Sequence, residues 1–186
     1  WTAADDFDFV TSGDAAANWS WHGRRHELTA LCPPALAGDV QMQNASAVLA
    51  LLEALDLPHI LTAAKVNHSL GNIKLTGRFQ IIDSRRLWVL DVAHNPAAAA
   101  ALSQSLKHLA QDRRVTAVVG MLADKDVHGI IGSLASLVDS WIAVSVEGSR
   151  AEAATVLAQQ IANYSQQPCQ IVEVITDALE VAERRT

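Results

Sequence analysis

From about residue 78 onward, short apolar runs rich in β-branched residues alternate with stretches of helical periodicity. "RFQII" and "LWVLDV" read as strands separated by the polar turn "DSRR", and "PAAAAALSQSLKHLA" reads as a helix. "VTAVVGM" is a strand, "VHGIIGSLASLV" a helix, "SWIAVSV" a strand and "AEAATVLAQQIANY" a helix. "CQIVEVI" holds a short strand and "TDALEVAERR" a helix. Strands that are apolar throughout need cover on both faces, and helices between them supply it. The rhythm therefore predicts an α/β fold, Rossmann-like, with a mostly parallel sheet and helices on both faces.

The first part of the chain has a different rhythm. "FDFV" (7–10), "ANWSWHG" (17–23) and "RRHELTAL" (24–31) alternate apolar and polar residues. They predict short antiparallel strands with a turn near Gly23. Pro33 and Pro34 end the stretch. From Gly38, "GDVQMQNASAVLALLEALDLP" predicts a helix with Val48, Leu51, Leu52 and Leu55 on one face, ending before Pro58. A second helix is expected from Ile60 to about Leu70. Gly71 and Asn72 break the pattern, and "NIKLTGR" reads as a connector. This places a domain boundary near residues 70–77, with residues 1–72 before it and 73–186 after it.

Half of the 186 residues are hydrophobic, so a core of ordinary size is available. The formal net charge of -6 argues against a nucleic-acid or membrane-surface binder, which would want a basic face. A local basic pocket for a phosphorylated small molecule remains compatible with that charge. Cys32 and Cys169 stand far apart with no CxxC partner, as expected of reduced thiols in a cytoplasmic protein. No apolar run approaches the ~18 residues of a membrane span. No basic segment followed by an apolar one marks a secretory signal. The chain opens on Trp1 rather than Met, as a processed product or an excised fragment would, and it stops on a helix where a strand would follow, so its C-terminus also looks cut.

In open parallel sheets, ligands bind outside the carboxyl ends of the strands, and three loops qualify. The first is "DVAHNP", where Asn95 is a good N-cap and Pro96 suits the first helical position. Asp91 can accept hydrogen bonds from hydroxyls or a metal-bound water, and His94 can donate to a phosphate or carboxylate. The second loop is "GMLADKD" (120–126), whose Asp124, Lys125 and Asp126 precede a helix, so that one Asp can serve as its N-cap. The third is "VEGSR" (146–150). Arg78 in "TGRFQ" stands at the connector, where it can clamp a nucleotide or form a surface ion pair. Asp91, His94, Asp124, Asp126 and His128 are possible metal ligands, but they lack the HxxxH or HExxH spacing of a dedicated site. There is no GxxxxGK[ST] loop, no GxGxxG fingerprint and no GxSxG elbow.

"GRFQ", "LDVAHNPAAAAAL" and "GMLADKDVHGIIGSL" follow one another at intervals that resemble one family. The chain is similar to the C-terminal half of the bacterial dihydrofolate synthase/folylpolyglutamate synthases, within the Mur ligase superfamily. "MQNASAVLALLEAL" (42–55) looks like a helix of that family's central ATPase domain, so residues 1–72 would be its last part. The resemblance implies an ATP-dependent, ADP-forming ligase that joins L-glutamate to dihydropteroate or to a folate glutamyl tail through an acyl phosphate. It implies that Asn44 contacts the adenine, that Arg78 contacts the nucleotide across the boundary, and that Asp91 holds the ribose or nearby phosphate side. His94 is the candidate catalytic residue, in contact with phosphate or acyl phosphate. ATP and Mg²⁺ are the implied cofactors, with the P-loop, the metal ligands and a carbamylated lysine expected upstream of Trp1. A "GSFHTV"-type loop is expected after Thr186. The implied protein is a cytoplasmic monomer, bifunctional in the bacterial pattern, and the fragment alone is expected to be inactive. A non-catalytic nucleotide-binding module and another Mur-type amino-acid ligase are the alternatives.

Overall fold

The computed structural model describes residues 2–11, 18–36, 38 and 40–185. Ala17 and Asp39, which fall in the expected second strand and first helix, lie outside the described residues, as do Trp1 and Thr186. The chain divides into two compact units, residues 1–80 and 81–186.

The first unit opens with three short strands, β1 (Asp8–Thr11), β2 (Trp19–His22) and β3 (Glu27–Leu31), paired antiparallel in that order. Two helices follow, α1 (Val40–Ala54) and α2 (Ala63–Asn72). The alternation seen in the sequence puts Trp19, Trp21, Leu28 and Leu31 on one side of the sheet. There they pack on Leu49 and Ala50 of α1 and on Leu61 and Val66 near α2. Phe9 meets Trp19 edge to face at 5.9 Å. The register of β2 on β3 shifts between Trp19 and Trp21, and Ala30 takes φ +56°. Asn67 of α2 bridges that irregularity: its Oδ1 accepts from the Cys32 N–H at 2.8 Å, and its Nδ2 donates to the Ala30 carbonyl at 3.1 Å.

The turn between β2 and β3 is closed from α1. Glu53 is fully buried, and its carboxylate accepts the backbone N–H groups of Arg24, Arg25 and His26 at 2.9, 3.0 and 2.7 Å. His26 Nδ1 adds a contact at 2.8 Å. Gly23 permits this approach, because a Cβ there would lie 2.8 and 2.9 Å from the two carboxylate oxygens. The apolar face expected on α1 exists, but it is turned outward. Val48, Leu51 and Leu55 are exposed, Leu52 is partly buried, and the core side carries Leu49, Ala50 and Glu53.

The second unit holds the alternating pattern. Strands β4 (Gln80–Asp83) and β5 (Leu87–Leu90) form one pair. Then come α3 (Pro96–Leu109), β6 (Thr116–Val119), α4 (Val127–Leu134), β7 (Ser140–Ala143), α5 (Ala154–Tyr164), β8 (Cys169–Ile171) and α6 (Ile175–Arg185). Strands β6, β7 and β8 are parallel and hydrogen-bonded in that order. One apolar cluster joins Trp141 and Ala143 to Ala99, Ile130, Ile131, Leu157 and Ile161 of the helices. A second joins Ile142 and Val144 to Ala178 and Ala182 of α6, with Trp88 of β5 against it. Successive residues of β7 thus face different clusters, as a strand covered on both faces requires. The Trp141 indole N–H donates to the Ser165 hydroxyl at 3.0 Å, so the largest buried side chain of this unit also has its polar atom satisfied. No helix among the described residues is long and apolar enough to cross a membrane.

Candidate functional site

Strand β5 ends at Leu90, and Asp91 follows it, exposed. Its Oδ1 accepts the Ala93 N–H at 2.8 Å, which closes a local turn and fixes the direction of the carboxylate. His94 Nδ1 lies 2.9 Å from the Val92 carbonyl oxygen. A carbonyl only accepts, so Nδ1 carries the proton and Nε2 is left as an acceptor in the neutral ring, or as a second donor when the ring is charged. Asn95 caps α3 as the sequence predicts: its Oδ1 accepts the Ala98 N–H at 2.8 Å, and Pro96 occupies the first turn. Asp91 and His94 therefore stand directly before the positive end of a 14-residue helix.

The other two strand-end loops are tied to each other. Leu122 and Ala151 form an isolated antiparallel bridge. The Ala123 N–H donates to the Arg150 carbonyl at 2.9 Å, and the Glu152 N–H donates to the Met121 carbonyl at 2.9 Å. Of the two Asp residues before α4, Asp126 is the cap, accepting the Gly129 N–H at 2.9 Å. Asp124 pairs with Lys125 at 2.9 Å, and the hydrogen bond from that ammonium holds its carboxyl below the usual carboxylate range. The Ser145 hydroxyl donates to Glu173 Oε2 at 2.6 Å and accepts the Ala154 N–H at 3.0 Å, so the strand end after β7 also caps α5.

Glycine brings the first and second loops together. A Cβ on Gly129 would lie 2.5 Å from Pro96 Cγ and 2.8 Å from Asp126 Oδ2, so the first turns of α3 and α4 touch through this residue. The sequence contains the glycine but no signal that its neighbour would be Pro96. Gly129 and Ser145 are the residues of this rim that pattern reading missed.

Of the sequence candidates, Asp91 and His94 share one loop of the second unit. Asn44 and Arg78 belong to the first unit. Asn44 is exposed on α1, and its Nδ2 donates to Gln41 Oε1 at 3.3 Å. Arg78 is exposed in a tight turn in which Gly77 and Phe79 both take positive φ, with the Gly77 N–H donating to Gln80 Oε1 at 3.1 Å. Among the described residues, no three His, Cys, Asp or Glu side chains gather into a group that could hold a metal ion. His128, a possible ligand by residue type, instead stacks on Tyr164 at 4.2 Å.

Residues 77–185 match the Mur ligase glutamate ligase domain, more than half of the chain. The chain belongs to the Mur ligase family. Among curated Mur ligase relatives, the dihydrofolate synthase/folylpolyglutamate synthase of Escherichia coli is 38% identical over 124 residues, 67% of this chain and 29% of the relative. That of Haemophilus influenzae is 31% identical over 182 residues, 87% of this chain and 40% of the relative. The Yersinia pestis bifunctional enzyme, solved with AMPPNP and Mn ion, superposes with a TM-score of 0.80 at 30% identity, covering 100% of this chain and 42% of that one. E. coli FolC, solved with DHPP and ADP, gives 0.83 at 28% identity, covering 99% and 41%. This Mur ligase chain thus spans about two fifths of the length of its solved relatives.

Proposed function

We propose that this chain is part of an ATP-dependent, ADP-forming ligase that adds L-glutamate to dihydropteroate and to folate or polyglutamate tails. The observation that carries this reading is the "DVAHNP" loop, with its carboxylate and imidazole set before the α3 N-terminus inside a matched glutamate ligase domain. The names of the curated relatives and the nucleotides bound in the solved ones support it.

In this reading a substrate carboxylate oxygen attacks the γ-phosphorus of ATP and ADP leaves. The glutamate amine then attacks the acyl carbon, phosphate leaves, and the amine loses a proton. Asn44 hydrogen-bonds the adenine. Arg78 neutralises charge on the nucleotide. Asp91 accepts from the ribose hydroxyls, with its direction set by the Ala93 N–H. His94, held by its Nδ1–H on the Val92 carbonyl, donates from Nε2–H of the charged ring to phosphate or acyl phosphate. Bound Mg²⁺ would neutralise phosphate charge. The described residues offer no ligand set for it. Residues 1–72 are read as the last part of a central ATP-binding domain and residues 73–186 as the C-terminal domain, within a cytoplasmic monomer.

The test is ADP release by the complete reading frame, supplied with ATP, L-glutamate and either dihydropteroate or a folate. Glutamate-dependent ADP release is expected, and Asp91→Ala is expected to lower kcat/KM by about tenfold to a hundredfold through lost positioning. The 186-residue chain alone is expected to release none. Turnover by that chain alone would overturn the fragment reading, and full activity in Asp91→Ala would overturn the role given to that carboxylate. No turnover by the complete protein, with nucleotide still bound, would favour a non-catalytic binding module.

A further inference from the structure

Helix α4 carries two glycines, Gly129 and Gly132, within eight residues. Glycine is a weak helix former, so each position gives up helix stability. The two differ in what surrounds them. A Cβ on Gly132 would meet nothing within 4 Å. A Cβ on Gly129 would lie 2.5 Å from Pro96 Cγ, 2.9 Å from Pro96 Cβ and 2.8 Å from Asp126 Oδ2. The Asp126 oxygen ends a rotatable side chain. The Pro96 ring is closed onto its own backbone and cannot turn aside. An ordinary carbon–carbon contact of about 3.5 Å would require the first turns of α3 and α4 to part by about 1 Å. Burial decides which side yields. Val127, Ile130 and Ile131 lock α4 into the core cluster around Trp141. On α3 the first buried residue is Ala99, and Pro96, Ala97 and Ala98 ahead of it are half-buried or exposed. Asp91, Val92, His94 and Asn95 are all exposed. Hydrogen bonds join residues 91–98 into one piece, from the Ala93 N–H to Asp91, from His94 Nδ1–H to the Val92 carbonyl and from the Ala98 N–H to Asn95. A push on Pro96 therefore carries Asp91 and His94 with it.

We infer that Gly129 is a positioning residue. By lacking a side chain it lets Pro96 seat against α4, and so it sets where the Asp91 carboxylate and the His94 imidazole meet the nucleotide. Gly129 acts only through that loop. The inference deepens the function proposed above and rests on it. A misplacement of about 1 Å at a reacting centre can cost about a hundredfold in rate, which sets the scale of the expected effect. Gly132 supplies the internal control, because it shares the helix and the residue type but has open space where Gly129 has Pro96.

The experiment uses the complete reading frame as parent, Gly129→Ala, Gly132→Ala, Pro96→Ala and the pair Gly129→Ala with Pro96→Ala. Glutamate-dependent ADP release is measured as ATP is varied, and ADP binding is measured by calorimetry. Gly129→Ala is expected to lower kcat/KM for ATP by about tenfold to a hundredfold, with KM raised, and to weaken ADP binding by about fivefold or more at unchanged stoichiometry. A merely structural defect would reduce the folded fraction, which lowers kcat and the binding stoichiometry and leaves KM and Kd alone. Gly132→Ala is expected to stay within about twofold of the parent on every measure. With Pro96→Ala already present, Gly129→Ala is expected to cost no more than about threefold, because the nearest ring atom is gone. The inference is overturned by a Gly129→Ala protein within about twofold of the parent in both kcat/KM and Kd. It is also overturned by a loss confined to kcat and stoichiometry, or by one just as large beside Pro96→Ala. A parent that binds ADP but shows no turnover counts against the ligase reading, and the ADP affinities of the five proteins then decide the role of Gly129. A parent that binds no ADP overturns both.

Discussion

Replacing Glu53 tests whether one buried carboxylate holds the first unit together. Glu53→Ala removes the acceptor from three backbone N–H groups at 2.7–3.0 Å and from His26 Nδ1 at 2.8 Å. A hydrogen bond to a charged group contributes about 1.5–3 kcal/mol, and each donor left without a partner costs about 1–3 kcal/mol. Arg24 and Arg25 lie at the surface, where water can replace part of the loss. The working value is therefore about 3–5 kcal/mol, the usual cost of removing one side of a buried charge arrangement. Glu53→Gln is milder. Its carbonyl oxygen can keep the Arg25 and His26 amides, but its NH₂ then faces the Arg24 N–H, at a cost of about 1–2 kcal/mol.

The assay is urea unfolding followed by tryptophan fluorescence, since Trp19 and Trp21 report on this unit. Trp88→Phe and Trp141→Phe in all samples remove the two tryptophans that pack in the apolar clusters of the other unit. The acid limb adds a second reading. Burial alone would raise the Glu53 carboxyl, but the hydrogen bonds from the His26 side chain and from the Arg25, Arg24 and His26 amides outweigh it and hold it below its ordinary 4.5. A carboxyl depressed in the folded state contributes stability that is present above its unfolded value and is lost as pH falls through its folded value. The parent should therefore lose stability in this unit as pH drops below about 4.5, and Glu53→Gln should lack that component. An unfolding midpoint in Glu53→Ala equivalent to within about 0.5 kcal/mol of the parent would refute the reasoning, because surface changes commonly have effects no larger than that.

Asn95→Ala should cost about 1 kcal/mol in the second unit by thermal or urea melting, since it removes the cap on the Ala98 N–H. Gly129→Ala should cost about 1–3 kcal/mol by the same melting experiment, because its Cβ has no room beside Pro96 and Asp126.

Features carried by adjacent residues were legible from sequence. Asn95-Pro96 and Asp126 cap their helices because a cap needs only the next few residues. The parallel strands and their helices were legible because an apolar run between helical periods has few other ways to be buried. The orientation of α1 was not. Both sides of that helix are apolar, so periodicity found a stripe without saying which stripe met the core. The role of Glu53 was hidden for another reason: its partners lie 27–29 residues earlier in the chain. The same holds for the meeting of Gly129 with Pro96. For the candidate site, Asp91 and His94 could be picked out by their place at a strand end. The partners that orient them, the Ala93 N–H and the Val92 carbonyl, are set by how the backbone turns after Leu90.

The three strand-end loops of the second unit are bound into one rim, by Pro96 against Gly129 and by the Leu122–Ala151 bridge with its flanking hydrogen bonds. Their lengths are consequently not independent variables. A residue inserted into any one of them pushes on the other two, so variation at this rim should be accepted as a matched set. Anyone transplanting "DVAHNP" into another scaffold would need to carry "GMLADKD" and "VEGSR" with it, or build substitutes for the surfaces they supply.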